Sequence, residues 1–262
     1  MLEFWDRQIR RADQLASQAS GSKELLSFYA QLLRAQKQIH ENLCRRLDQQ
    51  PIGDIRTDLP AIHSLMNGVL EIAVLHGPTT LAEEAKTLLK SEPAVIDEML
   101  IDYWDNRSDI EFFPKAILQP YLRVMIESGV RPISRLLPPR ERTCPYCGGN
   151  PQVSYLQNNE TTAESGNRDL LCATCLASWE FRRVVCANCG EERPTKLGYF
   201  HSEEFDHIRI EACDSCKHYI KGVDLTRLGH AAPLVDDVYA APLDLWAREH
   251  GYTKIELNLV GV

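Results

Sequence analysis

Three features are scarce in this chain, and each scarcity narrows the reading. No apolar run approaches the ~20 residues needed to span a bilayer, which argues against a membrane partner. The opening residues, MLEFWDRQIRRADQ, lack the apolar centre and small-residue cleavage site of a secretory signal. The sequence therefore reads as cytoplasmic. Basic charge is also short: 29 Lys and Arg stand against 37 Asp and Glu, a net charge of -8, which weighs against a polyanionic partner. Finally, cysteine is almost missing outside one window, for of nine cysteines only Cys44 lies beyond residues 144–216. There is no Ser-His-Asp order, Gly-rich phosphate loop or H-E-x-x-H, so nothing points to an enzyme.

What is present falls into parts. With 262 residues, 44% of them hydrophobic, the chain can bury a sizeable core. Residues 1–140 carry helical periodicity. In Glu24–Leu47 apolar residues recur at Leu25, Tyr29, Leu32, Ala35, Ile39, Leu43 and Leu47, spacings that share one helix face. Cys44 adjoins this stripe and is expected to be a helix-buried thiol. A second helical run is expected over Leu59–Leu75, ended by His76-Gly77-Pro78. A third starts near Thr80, with Thr80 as cap and Glu83 in the capping-box position. A fourth follows in FFPKAILQPYLRVMIESG, with Pro114 in the first turn and Pro120 expected to kink or interrupt it. The stretch RPISRLLPPRER, residues 131–142, reads as a semi-rigid linker, with an arginine-lined partner surface as the alternative. A C-terminal segment, residues 223–262, should hold one helix over about Leu234–His250.

The cysteine window is an internal repeat. Cys144 and Cys147 match Cys186 and Cys189 at an offset of 42, while Cys172 and Cys175 match Cys213 and Cys216 at 41. Each first pair is followed by glycine, Gly148 or Gly190, then by Pro151 or Pro194. The expected modules are residues 141–182 and 183–222, built from short strands such as SWEFRRVV and HIRIEA. Two residues between cysteines let a tight turn aim both sulfurs at one point, and the glycine permits the positive φ that the turn needs. Two such knuckles supply four sulfurs at about 2.3 Å from a metal. The expected sites are Cys144, Cys147, Cys172 and Cys175, and then Cys186, Cys189, Cys213 and Cys216; an interleaved cross-brace is the alternative.

In a reducing compartment this pattern reads as metal ligation rather than disulfides. Four copies in a strand-and-turn setting do not suit a thiol oxidoreductase, which needs one activated cysteine at a helix N-terminus. Tetrahedral thiolates suit zinc or iron, and ligand type leaves both open. The cluster HSEEFDH, with His201 and His207, reads as a solvated loop, because both sites already have four ligands. From Cys144 to Gly222 there are 8 Lys and Arg against 11 Asp and Glu. Eight thiolates around two divalent ions add further negative charge, so nucleic acid is a disfavoured partner and protein recognition is favoured. A four-cysteine nucleic-acid-binding ribbon and an iron or redox sensor remain the alternatives.

The segments CPYCGGNP, GNRDLLCATC, SWEFRRVVCANC and ACDSCKHYIK, with Asp236-Asp237, Leu243-Asp244 and Gly251-Tyr252 beyond them, resemble the FdhE type of formate dehydrogenase accessory protein. The resemblance covers roughly the last 120 residues and is specific in the order of its four C-x-x-C motifs. It implies an α+β protein: a helical N-terminal domain, two tandem rubredoxin-like (zinc-ribbon-like) four-cysteine modules and a C-terminal helix. It also implies a non-enzymatic cytoplasmic factor for assembly of molybdenum- or tungsten-dependent formate dehydrogenase, with the catalytic subunit as partner and iron associated with the sites. Arg183, Tyr219, Lys221, Asp236 and Asp237 are the expected docking residues, with ordinary salt bridges and packing between the modules as the alternative. The sequence leaves the oligomeric state open.

Overall fold

The computed structural model describes residues 2–18, 21–45, 51–108, 110–131, 141–157 and 167–261. The chain divides into two compact units, Met1–Leu137 and Pro138–Val262. Most of the expected linker, residues 132–140, lies outside the described residues.

The first unit is helical: α1 (Leu2–Gln18), α2 (Lys23–Arg45), α3 (Ile55–His63), α4 (Asn67–His76), α5 (Thr79–Leu88), α6 (Pro93–Asp105) and α7 (Phe112–Glu127). The apolar stripe of α2 is buried at Tyr29, Leu32, Ala35, Ile39 and Leu43; Leu25 is half-buried, and Leu47 lies outside the described residues. Leu32, Ile39 and Leu43 each gain roughly 1.5–3 kcal/mol from that burial. Cys44 corrects an expectation: it is exposed, because the stripe turns Leu43 inward and its neighbour outward. The expected second run is two helices, broken between His63 and Asn67. Thr80 is not the cap of α5, which begins at Thr79 after Pro78, with no side-chain cap.

Pro120 lies inside α7 without ending it. Proline has no N–H to offer the carbonyl four residues back, which is that of Ala116. Gln36, fully buried on α2, reaches across and donates its Nε2 to the Ala116 oxygen at 2.9 Å and to Gln119 Oε1 at 2.9 Å. A second buried polar contact ties α3 to α7, where the Tyr121 hydroxyl donates to Asp58 Oδ2 at 2.7 Å. No single helix among the described residues is long and apolar enough to cross a membrane.

The second unit is built on one mixed sheet. Its strands are β1 (Pro151–Gln157), β2 (Asn167–Cys172), β3 (Ser178–Phe181), β4 (Leu197–His201), β5 (Ile208–Cys213), β6 (His218–Asp224) and β7 (Thr253–Lys254). The order is β3-β2-β1-β6-β5-β4, with β7 beside β6. Each module contributes an antiparallel trio, and the trios join through a parallel pairing of β1 with β6. An ion pair crosses the join: Arg168 on β2 donates to Glu211 on β5 at 2.5 Å, both side chains buried.

Two helices, α8 (Pro233–Tyr239) and α9 (Ala241–Glu249), replace the single C-terminal helix expected. The break falls at Ala240, just before Pro242, which has no N–H to continue the ladder. α8 packs on β1 and β6, so both modules share one cover.

Candidate metal centres

Each cysteine pair sits on a tight turn at a strand end. In the first pairs the amide of Gly148 donates to the Cys144 carbonyl at 2.9 Å, and that of Gly190 to the Cys186 carbonyl at 3.0 Å. Both glycines have positive φ, 73° and 80°, as the sequence requires of them. The second pairs have the same turn without glycine: Leu176 at φ 59° and Lys217 at φ 58° stand one step past Cys175 and Cys216. The amide of Lys217 donates to the Cys213 carbonyl at 2.8 Å. Sequence reasoning missed these two positions, because only glycine announces a left-handed residue.

The sulfurs converge in two sequential sets rather than a cross-brace: Cys144, Cys147, Cys172 and Cys175, and separately Cys186, Cys189, Cys213 and Cys216. Within each set all sulfurs lie within 4.8 Å of one another. Cys144 Sγ is 3.4 Å from Cys175 Sγ, and Cys147 Sγ is 3.5 Å from Cys172 Sγ. In the second set both corresponding distances are 3.7 Å. A disulfide would bring sulfurs to about 2.05 Å. A tetrahedron with metal–sulfur bonds of about 2.3 Å has edges of about 3.8 Å, so the donor sets fit a four-coordinate ion.

Without a cation among them, several of the buried sulfurs resist ionisation. Burial and the neighbouring sulfurs push the Cys172 and Cys175 thiols well above their ordinary range. Burial raises Cys186 and Cys189 as well. Cys216 also feels burial, yet hydrogen bonds from the Asn188 side chain and the His218 amide draw it down to about 7. Four thiolates this close need a cation among them, and a bound divalent ion would supply that charge. Amides already face the sulfurs: Thr174 N donates to Cys172 Sγ at 3.3 Å, and the Asn188 and Cys189 amides to Cys186 Sγ at 3.4 Å.

The two sites differ in exposure. All four cysteines of the first are buried. In the second, Cys186 and Cys213 are buried, Cys189 is exposed and Cys216 is intermediate.

Four of the five expected docking residues are interior, which corrects their assignment to a surface and agrees with the alternative of salt bridges and packing. Tyr219, Lys221, Asp236 and Asp237 are all 0% exposed. Lys221 Nζ pairs with Asp244 Oδ2 at 2.5 Å and Asp237 Oδ1 at 2.9 Å. Lys254 pairs with Asp237 at 2.8 Å and with Asp244 at 3.3 Å. Tyr219 donates its hydroxyl to Asp244 at 2.7 Å, and Gln152 and Asn258 donate to Asp237 at 3.0 and 2.8 Å. Asp236 holds His207 Nε2 at 2.8 Å and accepts from the Ala232 amide at 2.7 Å. Adjacent acidic residues read as surface in a sequence; here they clamp the C-terminal segment onto the sheet because complementary cations and amides enter the core with them. Burial opposes the charge on Lys221, but Asp237 and Asp244 outweigh it and raise its affinity for the proton. Asp237, despite its own burial, is drawn down to about 2 by Lys221 and Lys254. His207 is likewise buried and not part of a solvated loop. Arg183 alone of the five is exposed; its carbonyl accepts the Tyr199 hydroxyl at 3.2 Å.

Comparison with known proteins places this arrangement. The model of the FdhE central domain matches residues 143–183, and that of the FdhE C-terminal domain matches residues 184–260. An FdhE homologue of Haemophilus ducreyi is 32% identical over 116 residues, covering 44% of this chain and 37% of that protein. The crystal structure of the FdhE protein from Pseudomonas aeruginosa superposes with a TM-score of 0.75 at 22% identity, over 100% of this chain and 97% of the other, and so shares the fold. An FdhE homologue of Aquifex aeolicus is 34% identical over 211 residues, which are 79% of this chain and 71% of that protein, and on that evidence the chain belongs to the FdhE family.

Proposed function

We propose that this protein is a non-enzymatic accessory factor in the maturation of a molybdenum- or tungsten-dependent formate dehydrogenase, acting in the cytoplasm on the enzyme's catalytic subunit. Family membership supports the accessory role. The observation that carries the reading is the pair of preformed four-sulfur sites, one at each half of a single continuous sheet. Metal in both sites, iron or zinc, would fix that sheet as a rigid scaffold. The eight cysteines named above are the proposed ligands. Arg183, exposed at the junction between the modules, is proposed for the partner surface.

Deletion of the gene should abolish formate dehydrogenase activity in the producing cell, and Cys144→Ser in the restored gene should fail to return it. The catalytic subunit should co-purify with the tagged wild-type chain. Normal enzyme activity in the deletion strain would dispose of the proposal.

A further inference from the structure

The two modules stand head to tail, and this leaves two strand edges vacant whose counterparts are filled, those of β3 and β4; β3 carries a guarding charge, Glu180, and β4 does not. An offset of 41 maps β2 onto β5 and β3 onto β6, and the strand registers then map β1 onto β4. By that mapping Val153, Ser154, Tyr155 and Leu156 correspond to Gly198, Tyr199, Phe200 and His201. The first four pair in parallel with Lys221, Gly222, Val223 and Asp224 of β6. Among the described residues no strand pairs with the outer edge of β4. An unpaired edge offers alternate N–H and C=O groups to another chain, and proteins usually guard such edges with charges, prolines or bulges. The sequence of β4, LGYFH, carries no lysine, glutamate or proline.

A groove of mixed lining lies beside that edge, with polar atoms from Tyr199, His201, Ser202 and Glu204 around an apolar floor. Phe200, Phe205, Ile210, Pro242, Leu243 and Trp246 line a space of about 570 Å³. The Phe200 and Trp246 rings meet at 4.8 Å between centroids, and Phe200 is still 36% exposed. Beyond the C-terminal end of β4 come two exposed carboxylates, Glu203 and Glu204, the latter also at the groove.

We infer that the β4 edge is a peptide-docking site. Its occupant is an extended segment of a partner protein, running parallel to β4, that seats a large apolar side chain on Phe200 and Trp246 and places Lys or Arg just C-terminal to it against Glu203 and Glu204. The parallel direction follows from the internal β1–β6 junction, which fills the equivalent edge that way. Main-chain bonds to the edge give affinity, the groove selects the apolar residue, and the acidic rim selects the charge. The inference concerns binding chemistry and does not rest on the accessory role.

The test uses the full-length, metal-loaded chain against a randomised dodecapeptide library displayed on phage, with selected peptides measured by fluorescence anisotropy. Enriched peptides should carry an aromatic or large aliphatic residue followed within three positions by Lys or Arg. Phe200→Asp should weaken them by about tenfold or more, whereas Leu245→Asp, at an exposed position of α9 outside the groove, should not. If Phe200→Asp fails to fold, the pair Glu203→Lys and Glu204→Lys, at exposed positions, still tests the site by abolishing the preference for basic residues. A nitroxide at the peptide C-terminus should broaden the amides of Glu203 and Glu204 more than that of Leu197. No enrichment, binding indifferent to these substitutions, an antiparallel pattern, or self-association through the same edge in sedimentation would each overturn the inference.

Discussion

Gln36 supplies the hydrogen bond that Pro120 withholds. Its Nε2 sits 2.9 Å from the Ala116 oxygen, the acceptor that a residue with an N–H at position 120 would satisfy within α7. The proline thus survives in mid-helix because α2 brings a donor to the gap.

Gln36→Leu should therefore leave a buried carbonyl without that donor and cost about 1–3 kcal/mol. The same substitution should cost less in a Pro120→Ala background, where the main chain can close its own bond. Urea unfolding of the four proteins in a double-mutant cycle measures this, and equal costs in both backgrounds would refute the substitution of one donor for the other.

The left-handed positions of the four knuckles predict a different pattern. At Gly190 a Cβ would also stand 2.9 Å from an Arg142 guanidinium nitrogen, so Gly190→Val should lose about 1–2 kcal/mol or more. Lys217→Gly relieves the same conformation at φ 58° and gives up an exposed pair with Asp214 and an exposed contact of the ammonium with the Tyr252 ring, both weakened by solvent. It should leave stability unchanged or raised. Denaturation of the metal-loaded proteins decides, and a clear loss with Lys217→Gly would count against a shared knuckle geometry.

Exposure separates the two sites in the rate of metal removal. A chelator or competing thiol reaches Cys189 from solvent, whereas all four sulfurs of the first site are buried. Metal release should be biphasic, with the second site emptying first. Cys189→Ser should eliminate the fast phase and Cys147→Ser the slow one, followed by a chromogenic chelator for zinc or by the thiolate-to-iron absorption band. A single phase releasing both ions would contradict the difference.

The sequence is legible where structure is local. Cysteine spacing identified all eight sulfurs and their sequential grouping, because a knuckle is a local structure whose geometry is written in adjacent residues. The stripe of α2 was equally readable from its period. Contacts between distant segments were not: Gln36 and Ala116 are 80 residues apart, and Lys221 and Asp244 are 23 apart. Asp236 and Asp237 looked like surface charge because nothing nearby in sequence announces Lys221, Lys254 or His207 as partners. The same blindness hid the turns at Leu176 and Lys217, where the fold imposes a conformation that neither residue prefers.

The buried clamp yields the last prediction. Removing one member of a buried ion network leaves its partners desolvated and unpaired, so Lys221→Met should cost about 3–5 kcal/mol even though methionine fits the space. The pH dependence has a fixed sign. Asp237 is held at about 2 by Lys221 and Lys254, below the roughly 3.9 of an unfolded aspartate, so the unfolded chain binds more protons between those values. The carboxylate's contribution is therefore complete above about pH 4 and is lost as pH falls toward 2. Acid also strips thiolate-bound metal, but that loss is common to the wild type and Asp237→Asn and cancels in their difference. The stability gap between the two proteins should hold from pH 7 to about 4 and narrow below it; a gap that widens in acid, or already closes near pH 6, would show that Asp237 is not an ionised member of the clamp.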